Sequence, residues 1–161
     1  MADMIKKIFN SEIKTTDTER VLEFCITTET KDRDGEVVKA EGGIFDNYTK
    51  NPVVLWAHDY QSLPVGKTTS LRRDNGKTIA SVEFPKKDEY EYADIVYKLC
   101  KGGYLNTVSI GFIPLEAENG KTAKDASRTY TKWELLEFSI VPVPSNPDAL
   151  VSARNAGVIS L

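Results

Sequence analysis

Two stretches decide how the chain is read: residues 105–115, LNTVSIGFIPL, and residues 129–143, TYTKWELLEFSIVPV. In the first, Val108, Ile110 and Phe112 fall on one side of an extended backbone and Thr107, Ser109 and Gly111 on the other. That period of two is the signature of a strand with one apolar face. In the second, Leu135, Glu137, Ser139 and Val141 share one side, and Leu136, Phe138 and Ile140 share the other. Apolar residues on both sides mark a strand that is largely buried. A polar loop, ENGKTAKDAS (118–127), joins the two.

Working outward, most of the chain repeats this theme. Residues 19–30 (ERVLEFCITTET) alternate as a strand, and Lys31 to Gly35 form a charged turn. Val37 to Ala40 read as a short extension, and Ile44 to Thr49 as one or two helical turns stopped by Asn51-Pro52. Residues 53–57 (VVLWA) make a continuous apolar run, as in a buried strand. Residues 65–72 and 77–84 flank Asn75-Gly76, which predicts a hairpin. One helix is expected over 87–100, with Tyr92, Ile95, Val96, Leu99 and Cys100 on its apolar stripe and Gly102-Gly103 closing it. Prolines at 142, 144 and 147 punctuate the tail. The expected fold class is β-rich α+β, a closed or nearly closed β-barrel with one or more peripheral helices.

Composition narrows the function. A length of 161 residues suits one domain, with its core at about 20–151 and termini outside it. The net charge of -3 argues against a nucleic-acid binder, which carries an excess of Lys and Arg. No apolar run reaches the ~20 residues of a membrane span, and the N-terminus lacks a signal-peptide core. Cys25 and Cys100 stand far apart in no CxxC pattern, which points to a reducing compartment and away from a structural zinc site. The single histidine, His58, excludes a multi-histidine metal centre.

Three residues invite chemistry. His58 follows the buried run VVLWA, where a strand emerges, so it is either a rigidly held base or a structural cap. Ser109 lies on the small, polar side of its strand, with room expected for an extended peptide beside it; its plain reading is a serine satisfied by a neighbouring carbonyl. Glu137 lies among apolar neighbours, where a carboxylate needs a partner, either His58 or a Lys or Arg. Glu134, three residues away on the same strand, should face the opposite side and stay hydrated. Together they would supply nucleophile, base and orienting acid. A thiol nucleophile, Cys25 or Cys100 with His58, is the rival, although both cysteines sit at core positions.

The segments FDNYTKNPVVLWAHDYQSLPVGK, GGYLNTVSIGFIP and ELLEFSIVPVPSNPDAL, in that order, resemble the tailed-phage prohead (capsid maturation) serine proteases, a family related in fold to herpesvirus assemblin. The resemblance implies a β-barrel of about seven strands with peripheral helices. It implies His58 as general base, Ser109 as nucleophile and Glu137 as third member. By analogy, Ser145 and Asn146 would line the oxyanion hole. It further implies an endopeptidase that cleaves the scaffolding segment of the major capsid protein and then itself, inside the procapsid in the host bacterial cytoplasm. The chain would then be a short or trimmed member of that family, with no cofactor or metal and a potential homo-oligomer. The contrasting expectation is an inactive barrel that serves only as an assembly factor.

Overall fold

Strand pairing sets the architecture of the computed structural model, which describes residues 3–142. The strands are β1 (Ile5–Asn10), β2 (Ile13–Thr15), β3 (Val21–Thr27), β4 (Glu36–Val38), β5 (Gly43–Ile44), β6 (Val53–Trp56), β7 (Gly66–Asp74), β8 (Lys77–Glu83), β9 (Thr107–Asn119) and β10 (Arg128–Val141). One α-helix, α1 (Glu91–Lys101), and two 3-10 turns, at Ala40–Gly42 and Tyr48–Lys50, complete the described residues.

β10 is the spine. One edge pairs antiparallel with β9 along its whole length, from Arg128 to Val141. The other edge takes β4, β5 and β6 in succession, all parallel. The full order is β1-β9-β10-β6-β7-β8-β3-β2, with β4 and β5 added on β10. The expected β-rich class holds, but the barrel is neither closed nor built of so few strands. Among the described residues the order ends in two unpaired edges, β1 and β2, and this ten-stranded sheet curls into an open half-barrel. Alternation within a strand reports its faces, not which distant strand it meets, so closure was not legible.

The β7–β8 hairpin follows its turn chemistry. Asn75 and Gly76 both have positive φ, 48° and 78°, the backbone of a type I′ turn. Under the sheet, Phe112 packs on Trp133 with ring centroids 5.5 Å apart, and Phe24 meets Phe138 edge-on at 5.7 Å.

Helix α1 begins four residues later than expected, at Glu91, and buries Val96 and Cys100 of the expected stripe but not the rest of it. Its buried residues are Ala93, Asp94, Val96, Tyr97 and Cys100. Tyr92 and Ile95, assigned to the apolar stripe, are 47% and 50% exposed, and Leu99 is exposed as well. Tyr97 decides the rotation: it packs on Phe84 and lies under the Arg20 guanidinium, while Arg20 pairs with buried Asp94 at 2.8 Å. The helix ends in a Schellman motif, with Tyr104 N–H donating to the Leu99 carbonyl and Gly103 at φ 83°.

β1 is held to the sheet by a buried cation. The Lys7 ammonium lies 2.6 Å from Asp32, 2.7 Å from Glu36 and 3.2 Å from Asp34. Burial opposes its charge, but hydrogen bonds to Asp32 and Glu36 outweigh burial and raise its pKa. The three carboxylates are close enough together to hold a metal ion, and the chain's own ammonium lies among them. Because its pKa is raised, Lys7 contributes in full at pH 7 and loses its contribution only above the ordinary lysine range. Lys7→Met should therefore destabilise by about 2–4 kcal/mol at pH 7. The deficit should shrink as the pH falls toward ~4 and the carboxylates protonate. Urea unfolding at the two pH values measures both effects.

Candidate active site

The site is assembled on three adjacent strands, in the order β9, β10, β6. As β6 ends, Ala57 and His58 both take left-handed backbone, with φ of 50° and 60°. Such conformations are costly for residues with a Cβ and persist only when neighbours enforce them. Here Ala57 N–H donates to the Ile140 carbonyl at 2.8 Å, and Asp59 N–H donates to the Trp56 carbonyl at 2.9 Å. His58 N–H donates to Ser139 Oγ at 3.2 Å. Beyond the turn, Asp59 accepts hydrogen bonds from the Ser62 hydroxyl and the Gln61 N–H, which hold its carboxyl below the usual range.

The turn lays the imidazole across β10 toward β9. His58 Nε2 lies 2.8 Å from Ser109 Oγ. His58 Nδ1 contacts Glu137 Oε1. A carboxylate only accepts, so Nδ1 carries the proton and Nε2 is left to accept from the serine hydroxyl. The structure thus brings His58, Ser109 and Glu137 into one hydrogen-bonded line.

Glu137 reaches this face because of an irregularity in β10. Leu135 pairs with Phe112, yet Glu137 pairs with Gly111, so Leu136 is an extra residue, a β-bulge. Before it, Trp133 and Leu135 face the core; after it, Phe138 and Ile140 do. Leu135 is therefore not on the Glu137 side, and Leu136 is 39% exposed. The expectation that Glu134 and Glu137 point to opposite faces fails for the same reason: both turn away from the core. They differ in partner, since Glu134 is bonded by the Asn47 amide at 3.3 Å and lies away from the imidazole contacts.

Ser109 pairs with Ser139 on one side and Ile8 of β1 on the other. Both edges of β9 are taken and Ser109 is 0% exposed, so the open strand face expected beside it does not exist. Gly111 is small for a reason: a Cβ there would lie 2.7 Å from Glu137 Cγ.

The cysteines take no part in this line. Cys25 is buried and its Sγ–H donates to the Thr27 carbonyl; Cys100 is buried on α1, and burial pushes its thiol up to about 12. Ser145 and Asn146 lie outside the described residues. Sequence reasoning missed Ser139, whose hydroxyl also lies 3.4 Å from His58 Nδ1. Its place two residues after Glu137 on one strand was the available signal.

Residues 10–159 match the family described as Caudovirus prohead serine protease. The chain belongs to that family. It is 35% identical over 126 residues to the prohead protease of Escherichia phage T5. The match covers 76% of this chain and 57% of that protein, so the chain spans little more than half of its relative. The bacteriophage T4 capsid assembly protease shares the fold, with a TM-score of 0.58 over 88% of this chain and 98% of that one, at 11% identity. The resemblance read from the three segments thus holds at the level of the family.

Gly111→Ala tests the packing of this site. The added methyl should push Glu137 off the imidazole and slow labelling of Ser109 by a fluorophosphonate at least ~10²-fold. The melting temperature should fall by only a few degrees, because the flexible side chains of Glu137 and Met4 can yield.

Proposed function

We propose that this prohead protease family member is a serine endopeptidase with Ser109 as nucleophile, His58 as general base and Glu137 as orienting acid. The observation that carries the reading is the continuous line Glu137–His58–Ser109, with Nε2 at 2.8 Å from the hydroxyl. A serine hydroxyl is a weak nucleophile at neutral pH and needs such a base. Ser109 Oγ attacks the scissile carbonyl as His58 Nε2 takes its proton. The imidazolium then returns that proton to the leaving amine. Glu137 holds the Nδ1–H tautomer and balances the positive charge that develops. Water repeats the sequence on the acyl-enzyme. Because both edges of β9 are paired, the substrate peptide does not add to the sheet as a further strand beside Ser109. Ser145 and Asn146 remain the candidates for the oxyanion donors. No cofactor or metal is required by this chemistry.

The substrate follows from the names of the relatives, a prohead protease and a capsid assembly protease. We read the target as the scaffolding segment of the major capsid protein, with the protease itself as a second substrate, inside the procapsid in the host cytoplasm. Residues 1–161 act as one protease domain, with self-association as a further feature. Kinship with herpesvirus assemblin rests on the sequence motifs alone. The acidic net charge of -3 favours a protein substrate over nucleic acid, and among the described residues no helix is long and apolar enough to cross a membrane. An inactive assembly factor is the weaker reading, because it gives no reason to bury a carboxylate against a histidine that touches a serine.

Co-expression with the capsid-protein precursor, followed by mass spectrometry, tests the activity. Ser109→Ala should remain folded and lose processing by a factor on the order of 10⁴ or more. Full processing by the folded variant would exclude Ser109. Glu137→Gln should lose up to about 10⁴-fold. Glu134→Gln should stay within a few-fold of wild type, since a hydrated charge typically contributes under ~1 kcal/mol. A crippled Glu134→Gln beside an active Glu137→Gln would reassign the third member.

A further inference from the structure

Glu137 is only half satisfied. Oε1 meets His58, but Oε2 is buried without a hydrogen-bond donor among the described residues. Leaving a buried carboxylate oxygen unpaired is expensive. Glu137 lines a cavity of about 540 Å³, and the polar side chains sharing that lining are Asn47, Tyr48, Asn51 and Tyr60. Two are committed elsewhere. The Tyr48 hydroxyl binds the Val53 carbonyl and Thr68, and the Asn47 amide donates to Glu134.

Tyr60 differs from the other two. It follows His58 by two residues, in the loop that Asp59 fastens. Its phenol is pushed up to about 12, by burial first, then by the polar contact and negative charge of Glu137. Yet no donor among the described residues completes a hydrogen bond to Oε2. Tyr60 is 59% exposed, with the Lys6 ammonium 5.8 Å from its ring centroid.

We propose that Tyr60 is a positioning residue whose hydroxyl donates to Glu137 Oε2 and fixes the carboxylate so that Oε1 stays aimed at His58 Nδ1. This rests on Glu137 being the orienting acid. A carboxylate held at one oxygen can swing about its terminal torsion; held at both, it presents Oε1 in one direction. The second donor also draws charge from Oε1, which tempers its pull on the Nδ1 proton. Among the described residues, the titratable groups seen to contact this pair are His58 at the carboxylate and Lys6 of β1 over the ring.

The chain's single histidine makes the test clean, because any imidazole N–H resonance belongs to His58. Tyr60→Phe keeps the ring and removes only the donor. Labelling by a fluorophosphonate probe should slow about tenfold in its maximal rate, with the probe's half-saturating concentration within about twofold. The Nδ1–H proton resonance should move downfield, since Oε1 is no longer shared. In a Glu137→Gln background, Tyr60→Phe should change neither quantity further. An unchanged rate and resonance in Tyr60→Phe, beside a crippled Glu137→Gln, would overturn the proposal alone. The same loss and shift in Asn51→Ala, with Tyr60→Phe silent, would overturn it by moving the donor to Asn51. Full labelling of Glu137→Gln would instead overturn the orienting role of Glu137, and the proposal with it.

Discussion

One inserted residue, Leu136, governs the site. Side chains along a strand alternate strictly, so a single extra residue reverses the facing of everything after it. Without the bulge, the core parity set by Trp133 and Leu135 would carry Glu137 inward and Phe138 outward. With it, Phe138 and Ile140 join the core, while Glu137 and Ser139 arrive on the face that carries Ser109. The neighbour on β9 opposite Glu137 is a glycine, which leaves the lateral space the carboxylate occupies.

His58 illustrates a second constraint. Two successive residues with side chains adopt left-handed backbone, at a cost of order 1–3 kcal/mol each. The surrounding structure offsets that cost with backbone bonds to Ile140 and Trp56 and with the Ser139 hydroxyl. All of these partners lie on β6 or on β10 beyond the bulge. The strained turn and the bulge therefore support each other: one aims the imidazole, and the other supplies both the carboxylate it meets and the hydroxyl that satisfies its backbone N–H.

The parts of the fold that were legible in sequence depend on local chemistry. Asn75-Gly76 announced a turn because few residues accept positive φ. The alternation of Val108, Ile110 and Phe112 announced β9 because its inner face is apolar throughout. That His58, Ser109 and Glu137 lie together was legible from motif and from the cost of an unpaired buried acid. What stayed hidden depends on distant partners. The helix could not reveal that Tyr97, drawn by Phe84 and Arg20, would turn Ile95 to solvent. The bulge left no mark, since Leu135 and Leu136 look alike and only one is buried. The open seam, too, arises from which strands fail to meet.

That seam has a bearing on solubility. β1 is a terminal strand of the sheet, so among the described residues one side of its backbone lacks a strand partner, next to the strand bearing Ser109. Free edges are templates for pairing with other chains and, at high concentration, for aggregation. β1 reads Ile5-Lys6-Lys7-Ile8-Phe9-Asn10, and Lys6 is exposed to solvent on that strand. Two copies meeting edge to edge would have to press these lysines toward one another and strip their water. A charge on the rim thus discourages stacking of sheets among copies, without closing the barrel.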